Sequence, residues 1–432
     1  MTEDFLYHIW KNRLFRQTGH HTAMGESIVV VDPGERNMHS GPDFFNARIR
    51  IGDTVWAGNV EIHVRASDWH RHKHKGDPAY DQVLLHVVFY DDMQIFRSDG
   101  KVMPMLILKN AIADEQLRNL LVGSQDEQAF VPCGMSLKLR GLAIADATYA
   151  QQVEQRLQRR YEEIASMLSL HRGDLEACFF EYLARAMGAK VNAEPFGQLA
   201  RAFSVVGLLR QRGNLQLLES FLFGMAGMLD KDYQDLYPCS LQQEFRFQQM
   251  KHQLVPMPYE RWRFMRLRPV NFPTLRIAQL ATMLHQEGAL YNRCMSCESA
   301  DALIRLFDVV ASSYWDDHFV FDKMTTKAGQ KRMGLSAIHG LIINAVVPFL
   351  YFQGKYQAKP ALCNRAIRML QALTPEHNRL LKNWGEFGVR PKNAFESQAL
   401  LELYSRSCKF KKCLTCSIGK QLILKSNFRN ND

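Results

Sequence analysis

The sequence lacks the features that would place it outside ordinary globular proteins. Its 432 residues include nine cysteines, 15 prolines and 26 glycines, too few and too scattered for a disulfide-stapled, collagen-like or disordered chain. No repeat of fixed period occurs, which excludes a solenoid. The first ten residues carry acids where a secretion signal carries Lys or Arg, so we expect a reducing, cytoplasmic location.

Apolar runs long enough to cross a membrane are also scarce. The segment 335–352 approaches the shortest spanning length. However, His339, Asn344 and Pro348 interrupt it, and no aromatic belt brackets its two ends. We therefore expect a buried core helix there and no membrane partner.

Positive charge is concentrated in two segments. The net charge is +10, and the stretches 251–276 and 401–432 each carry an excess of five basic residues, so together they account for all of it. Clustered positive charge attracts polyanions, although a solvated basic face without a ligand gives the same pattern. Nucleic acid is the partner that this charge favours, and protein partners are not indicated. The candidate contacts are Lys73, Lys75, Arg263, Arg266, Arg268, Lys411 and Lys412.

The pattern of apolar residues changes along the chain and predicts an α+β protein. An amphipathic helix at 4–15, strands at 28–31, 44–51, 55–64 and 83–89, and a hairpin around Asp99-Gly100 indicate a mixed α/β region. Apolar residues then recur at helical spacing. We expect an α/β domain over 1–125, a helical domain over 126–400, and a basic, cysteine-rich tail over 401–432 that packs back on the body.

Asp43, Glu61 and His63 are the first candidate site. Strand alternation places Glu61 and His63 on one face, and a Gly52-Asp53 turn brings Asp43 beside them. Two carboxylates suit Mg²⁺ or Mn²⁺, and an imidazole admits a transition metal. The site thus predicts metal-assisted catalysis.

A group of histidines offers a second candidate site. His70, His72 and His74 would point the same way in an extended segment and could bind Zn²⁺ together with His63 or His86. The alternative is a solvated loop. His86 lies in an apolar strand, where it is either a hydrogen-bonded core residue or a catalytic base.

The tail contains a compact group of thiols. Cys408, Cys413 and Cys416 have the spacing of ligands for Zn²⁺ or an iron–sulfur cluster, with Cys133, Cys294 or Cys297 as a fourth. Cys133 would tie the tail to the N-terminal domain. Reduced packing thiols are the alternative interpretation.

The order Pro42-Asp43, then Glu61-Ile62-His63, resembles the PD-(D/E)xK nuclease superfamily. The resemblance implies an αβββαβ core in which Asp43 and Glu61 bind the metal and His63 positions or activates the attacking water. His63 stands where that superfamily has Lys, and Lys73 or Lys75 is a candidate substitute. Some of these nucleases also carry an iron–sulfur cluster with ligands on both sides of the core, as the cysteine pattern here suggests.

The whole chain resembles a bacterial domain-of-unknown-function family (family 2851). The resemblance rests on motifs spread over nearly the full length: Gly41-Pro42-Asp43-Phe44, 56–64, Ser67-Asp68-Trp69, Arg268-Pro269, Asn271-Phe272-Pro273, 276–279, Asn344, Pro348, Cys413-x2-Cys416 and Ile418-Gly419. It implies no activity.

Three functions therefore stay open. The first is a metal-dependent nuclease acting on DNA or RNA. The second is an inactive nucleic-acid-binding or scaffold protein with a structural metal, and the third is a zinc-dependent hydrolase of a small molecule.

Overall fold

The computed structural model describes residues 3–11, 13, 15–22, 25–37, 40–74, 76–112, 130–140, 144–410, 412–413, 416–419 and 421. The chain divides into two compact units. The first comprises Met1–Ile144, Glu386–Val389 and Leu403–Asp432, and the second comprises Ala145–Gly385 and Arg390–Glu402. The structure is 53% helical and 13% strand by residue, with a sheet in the N-terminal part followed by a large helical region. The predicted α+β class is confirmed.

The first unit is built around one mixed sheet. Its strands are β1 His20–His21, β2 Ser27–Asp32, β3 Glu35–Arg36, β4 Phe44–Ile51, β5 Thr54–Arg65, β6 Val83–Tyr90 and β7 Met105–Ile107. The spatial order is β1-β2-β4-β5-β6-β7, with β3 paired to β4. The helices of this part are α1 Glu3–Lys11, α2 Asp68–Arg71, α3 Leu108–Ala111 and α4 Gly134–Arg140.

The predicted hairpin forms the centre of this sheet. Strands β4 and β5 pair antiparallel, with Ile51 opposite Thr54 across the Gly52-Asp53 turn. Strand β6 then pairs parallel to β5, and β7 pairs parallel to β6. A parallel pair requires a crossover connection between its strands. The segment between β5 and β6, which contains α2, is this crossover.

Both faces of the central strands are covered by apolar side chains. On one face, residues from α1 such as Leu6 and Ile9 pack with Val60, Ile62 and Leu85. A smaller apolar cluster contains Trp69, Val83, Val88, Ile95 and Met103. This double coverage explains why β6 is an almost continuous apolar run.

The hairpin predicted around Asp99-Gly100 is only partly formed. The turn is present, because the Arg97 amide donates to the Lys101 carbonyl at 2.8 Å, and Phe96 and Val102 form an isolated antiparallel bridge. The chain then departs from the hairpin, because β7 pairs with β6 instead. Pairing with β6 makes β7 part of a sheet with an apolar face, which is more stable than an isolated two-stranded hairpin.

The remaining helices follow from Asp146 onward. They are α5 Asp146–Leu170, α6 Leu175–Met187, α7 Ala193–Arg201, α8 Val205–Leu209, α9 Leu215–Met225, α10 Leu236–His252, α11 Pro273–Gln286, α12 Leu290–Ser296, α13 Ala300–Leu306, α14 Leu335–Leu341, α15 Val347–Tyr356, α16 Pro360–Ala372, α17 Arg379–Glu386 and α18 Ala394–Arg406. A short hairpin, β8 His318–Val320 and β9 Lys323–Met324, lies among them and was not predicted.

Local sequence explains where several of these helices start. Asp174 caps α6 by accepting the Ala177 amide at 3.0 Å, and Asn214 caps α9 by accepting the Gln216 amide at 2.9 Å. Within α5, apolar residues at three-to-four spacing are buried, as the sequence predicted. Capping and periodicity therefore agree along this region.

The apolar segment at 335–352 lies within a continuous helical run. Helix α14 passes through a π-helical segment, Ile342–Val346, into α15. By length and composition Leu335–Tyr356 could cross a membrane, and 67% of its most apolar window is buried inside the protein. Such burial is typical of a core helix, and the prediction of one is retained.

We predict that Leu85→Ala destabilises the sheet. Leu85 is fully buried in β6, and removing a buried leucine side chain costs about 2–5 kcal/mol of unfolding free energy. Urea unfolding gives the measurement. The matched control is Val55→Ala, which removes a half-exposed side chain from β5 and should cost less than about 1 kcal/mol. Equal losses in both variants would contradict this account of the core.

Candidate metal centre

Three neighbouring strands bring the candidate residues together. Asp43 immediately precedes β4, Glu61 and His63 lie on β5, and His86 lies on β6. The β5–β6 register places Glu61 opposite His86. Because alternate residues of a strand share a face, Glu61 and His63 project together, away from Ile62. The sequence predicted this arrangement of Asp43, Glu61 and His63.

The carboxylates of Asp43 and Glu61 each accept a hydrogen bond from a backbone amide of the neighbouring chain segment. The Asp43 amide donates to Glu61 Oε2 at 3.1 Å, and the Ile62 amide donates to Asp43 Oδ2 at 2.9 Å. The Tyr7 hydroxyl from α1 also donates to the Asp43 carboxylate. Burial and then the neighbouring Glu61 carboxylate raise the pKa of Asp43 to about 7. Tyr7 was not predicted, since nothing in its local sequence marks it as polar support.

The segment after β5 adds two further imidazoles. It was expected to be extended, with His70, His72 and His74 in line, and this expectation is wrong. Residues 68–71 form helix α2, which leaves His70 exposed. Lys73 then adopts a left-handed backbone conformation, with φ of 63°. This reversal brings His72 and His74 back toward His63.

His63, His72 and His74 form a cluster of possible metal ligands. One ring nitrogen from each lies within 4.8 Å of the others. His63 Nε2 is 3.2 Å from His72 Nδ1 and 3.4 Å from Glu61 Oε1. His74 Nε2 is 3.1 Å from Glu61 Oε1, yet these two atoms make no hydrogen bond with each other. Close approach without hydrogen-bond geometry is what two ligands of one ion show.

The spacing of these donor atoms matches a small tetrahedral ion. A metal that binds ligands at about 2.0–2.1 Å in a tetrahedron keeps them about 3.3 Å apart. Of the pairwise distances among these donor atoms, the contacts Glu61–His74, His63–His72 and Glu61–His63, at 3.1, 3.2 and 3.4 Å, lie close to that value. Imidazole nitrogen favours Zn²⁺ and other first-row transition metals over Mg²⁺. The three imidazoles therefore fit such an ion as donors, and the Glu61 carboxylate lies beside two of them.

His86 contacts His63 on the side of the ring that faces away from the cluster. His63 Nδ1 lies 2.9 Å from His86 Nε2. Ligation through His63 Nε2 would put its proton on Nδ1, which would then donate to His86 and fix the ring. Within the part of the chain that the structure describes, His86 Nδ1 is buried without a hydrogen-bond partner. The sequence offered His86 as a catalytic base, whereas its position is that of a residue that orients His63.

The buried imidazoles are uncharged. Burial, followed by the neighbouring imidazoles of His86, His74 and His72, lowers the pKa of His63 to about 2. Burial, followed by His74, lowers the pKa of His86 to about 3. Neutral imidazole is the form that binds metal ions, so the site needs no deprotonation of these two residues near neutral pH.

Aromatic rings close one side of the cluster. Tyr80 stacks on His74 with ring centroids 3.8 Å apart, and Trp69 lies 5.4 Å from His74 and 5.2 Å from His86. A wall of this kind excludes water and lowers the local dielectric, which strengthens electrostatic interactions within the site.

The predicted basic contacts are spread over both units. Lys73 is exposed beside the histidines, and Lys75 lies outside the described residues. Arg263, Arg266 and Arg268 are exposed side chains of the second unit. Lys412 is exposed in the tail, with its ammonium 5.7 Å from the Phe410 ring centre, and Lys411 lies outside the described residues. Lys73 lies between His72 and His74 in the segment that carries the histidines.

Four cysteines of the first unit are neighbours. Burial and then the thiols of Cys413 and Cys416 raise the pKa of Cys133 to about 12. Burial raises the pKa of Cys408 as well, with further contributions from Cys133, Cys416 and Cys413. A turn joins the last pair, because the Cys416 amide donates to the Cys413 carbonyl at 3.3 Å.

Of the three candidates for a fourth thiol, Cys133 is the one beside the tail cluster. Cys294 and Cys297 belong to the second unit, where Cys297 contributes to raising the pKa of Cys294. Phe130, close to Cys133 in sequence, stacks on Tyr404 with ring centroids 4.7 Å apart. These contacts place the tail thiols and Cys133 in one neighbourhood of the first unit.

The chain belongs to a family of proteins of unknown function. The family model described as "Protein of unknown function (DUF2851)" matches residues 3–379. This confirms the family that the sequence motifs indicated. No curated protein matches the chain, and no solved structure does either. The resemblance to PD-(D/E)xK nucleases stays a prediction.

We predict that the purified protein binds Zn²⁺ through the histidine cluster. His74→Ala should lower the zinc content by about one ion per chain, because the remaining donors no longer enclose the ion. Elemental analysis after zinc loading and desalting gives the measurement. His70→Ala, which removes an exposed imidazole of the same segment, is the control. A zinc content unchanged in His74→Ala would contradict the site.

The tail cysteines require a separate variant, because they could also retain zinc. In Cys413→Ala/Cys416→Ala, any zinc bound by the tail should be lost while the His74-dependent ion remains. If the double variant loses all of the zinc, the histidine cluster is not a zinc site.

We also predict that replacing His86 by an apolar residue changes the unfolding free energy by an amount that depends on pH. The folded chain holds His86 neutral, whereas the unfolded chain binds a proton below the ordinary pKa of 6.5. The unfolding free energy of the wild type therefore decreases as the pH falls. The His86→Leu variant does not undergo this decrease, because it has no imidazole at this position. The unfolding free energy of His86→Leu relative to wild type should rise by about 1.4 kcal/mol from pH 7.5 to 5.5.

Urea unfolding in EDTA tests this, since the chelator removes metal linkage. Other buried groups that titrate in this range, such as Asp43 and Glu219, are common to both proteins, so their effects cancel. A difference independent of pH would show that His86 is not held neutral.

Proposed function

We propose that the protein is a metal-dependent hydrolase that cleaves phosphodiester bonds of DNA or RNA. The observation that carries this proposal is the cluster of imidazole nitrogens on His63, His72 and His74, all within 4.8 Å of one another, with Glu61 Oε1 beside His63 and His74 and Glu61 hydrogen-bonded to the Asp43 amide. A metal ion bound there would lower the pKa of a water and neutralise charge that develops on a phosphate. The protein's own residues would position the substrate and transfer the proton.

Asp43 is suited to move a proton. Its carboxyl group accepts the Ile62 amide and the Tyr7 hydroxyl, which fix its orientation. In the metal-free chain its pKa is raised to about 7, and a group with a pKa near the working pH serves best as a general acid or base. Asp43 is therefore our candidate for the proton acceptor, and Glu61 is a ligand.

The order of structural elements supports a phosphodiester substrate. Helix α1, strands β2, β4 and β5, helix α2 and strand β6 follow one another as in the αβββαβ core that the nuclease resemblance implies. Asp43 opens β4 and Glu61 lies on β5, the two positions at which that superfamily has its acids. The expected metal differs, because three imidazoles favour Zn²⁺ where acids alone would favour Mg²⁺ or Mn²⁺.

A zinc-dependent hydrolase of a small molecule is the second candidate. It is favoured by the imidazole-rich donor set, which resembles that of catalytic zinc sites with three protein ligands and a water. A non-catalytic nucleic-acid-binding protein is the third, and it would have the same metal without turnover. The substrate distinguishes these candidates.

We predict that Asp43→Asn lowers kcat for a labelled oligonucleotide by about 10²–10⁴ while metal content is unchanged, because a general base contributes rate rather than affinity for the ion. Single- and double-stranded DNA and RNA are assayed with Mn²⁺ and with Zn²⁺. Asp53→Asn is the matched control, since Asp53 is an exposed acid in the turn of the same hairpin.

The outcomes separate the three functions. Equal cleavage by wild type and Asp43→Asn would remove Asp43 from the mechanism. Salt-sensitive nucleic-acid binding without cleavage in either metal would favour the non-catalytic protein. Cleavage of small esters but of no oligonucleotide would favour the small-molecule hydrolase.

A further inference from the structure

An open cleft lies directly beside the metal ligands. His74 belongs both to its lining and to the metal cluster. Two other lining residues, Trp69 and Tyr80, are the aromatic neighbours of His74. A group bound in this cleft would therefore lie against the metal ligands, which is where the reacting part of a substrate must be.

The cleft is lined by hydrogen-bond donors that have no acceptor. Trp69 is only 3% exposed, and its indole Nε1 is buried with no hydrogen-bond partner among the residues that the structure describes. Arg97 Nε is buried and likewise unpartnered in that part of the chain, while Arg97 Nη2 donates to the Leu84 carbonyl at 3.1 Å. Indole and guanidinium groups donate only. Among the described residues neither group has an acceptor, and a molecule bound in the cleft would be able to provide one.

Charge in the cleft favours an anion as that acceptor. Arg97 keeps its positive charge, although burial lowers its pKa, because a guanidinium does not lose its proton in proteins. Two acids are near Arg97: Asp81 in the lining, which accepts the Ser98 hydroxyl at 2.9 Å, and Asp99, which interacts with Arg97 electrostatically. Both are exposed, so water screens their charges. A buried unpaired donor is costly, and an oxyanion would satisfy both donors at once.

We propose that this cleft binds a phosphate group of the phosphodiester substrate, with Arg97 Nε and Trp69 Nε1 donating to its oxygens. The inference rests on the proposed function for the identity of the substrate, and on the cleft alone for the binding of phosphate. Arg97 and Trp69 are then residues that determine specificity, while the metal ligands and Asp43 carry the chemistry. Tyr80 and the partly exposed Phe96 provide apolar walls for the rest of the substrate.

The test uses the full chain without metal, so that it does not depend on catalysis. Inorganic phosphate is titrated into the protein in EDTA by calorimetry, at an ionic strength held constant with chloride. We expect binding that Arg97→Gln weakens about tenfold or more, because it removes a hydrogen bond from a charged donor. Trp69→Phe, which retains an aromatic ring and loses the N–H, should weaken it several-fold.

Arg50→Gln is the matched control, because Arg50 is an exposed arginine of the same sheet, and it should bind phosphate as wild type does. Circular dichroism melts identify any variant that fails to fold. If Arg97→Gln fails to fold, Trp69→Phe serves as a second and more conservative variant. No binding by wild type, or equal binding by folded Arg97→Gln, Trp69→Phe and Arg50→Gln, would overturn the site.

A competition experiment tests the source of the phosphate group. The dinucleotide d(TpT), which carries one phosphodiester, should displace inorganic phosphate from the wild-type protein. Phosphate binding that the dinucleotide does not affect would overturn the assignment to a diester substrate. Absence of cleavage with intact phosphate binding would instead count against the proposed function and leave the cleft as a phosphate site.

Discussion

The candidate site depends on keeping one imidazole neutral inside the protein. His63 is 1% exposed, and it lies between His86 on one side and His72 and Glu61 on the other. Were it protonated, its charge would be buried beside three other imidazoles, which is strongly unfavourable. A neutral ring has one donor and one acceptor nitrogen. With Nδ1 directed at His86, Nε2 is left for the cluster and an ion.

The sheet provides this geometry through its central strands. Strand β5 pairs antiparallel with β4 on one side and parallel with β6 on the other. Asp43, His63 and His86 therefore come from three adjacent strands, whose relative positions are fixed by backbone hydrogen bonds. Helix α1 covers the opposite face with apolar side chains. The polar residues are held on elements whose packing is independent of any ligand, which is how a site becomes preorganised.

Much of this arrangement could be predicted from sequence, because it follows from local rules. The period of two along β5 predicts that Glu61 and His63 share a face, and the Gly52-Asp53 turn predicts the hairpin that brings Asp43 alongside. The positions of His72 and His74 could not be predicted in this way. They depend on the short helix α2 and on the left-handed conformation of Lys73, which a lysine adopts only where the surrounding structure requires it.

The cysteines show the same limit at longer range. The spacing of Cys408, Cys413 and Cys416 indicates three neighbouring thiols, but nothing in the sequence selects a fourth among Cys133, Cys294 and Cys297. The choice is made by the fold, which places Cys133 and the tail in one unit and the other two in the second. Contacts between residues almost 300 positions apart have no local signature.

The charge of the proposed site gives a reason for a histidine where nucleases of the PD-(D/E)xK type have lysine. In the proposed site Glu61 would offset part of the charge of a divalent cation, and neutral imidazoles would add donors without adding charge. A lysine at position 63 would add a positive charge to a buried site that we propose to bind a divalent ion, and it could not act as a ligand while protonated. The role of a positive group near the phosphate would then fall to another residue. Arg97 has the required charge and lines the cleft together with His74, so under our proposal the metal ligand and the phosphate-binding cation would be separate residues.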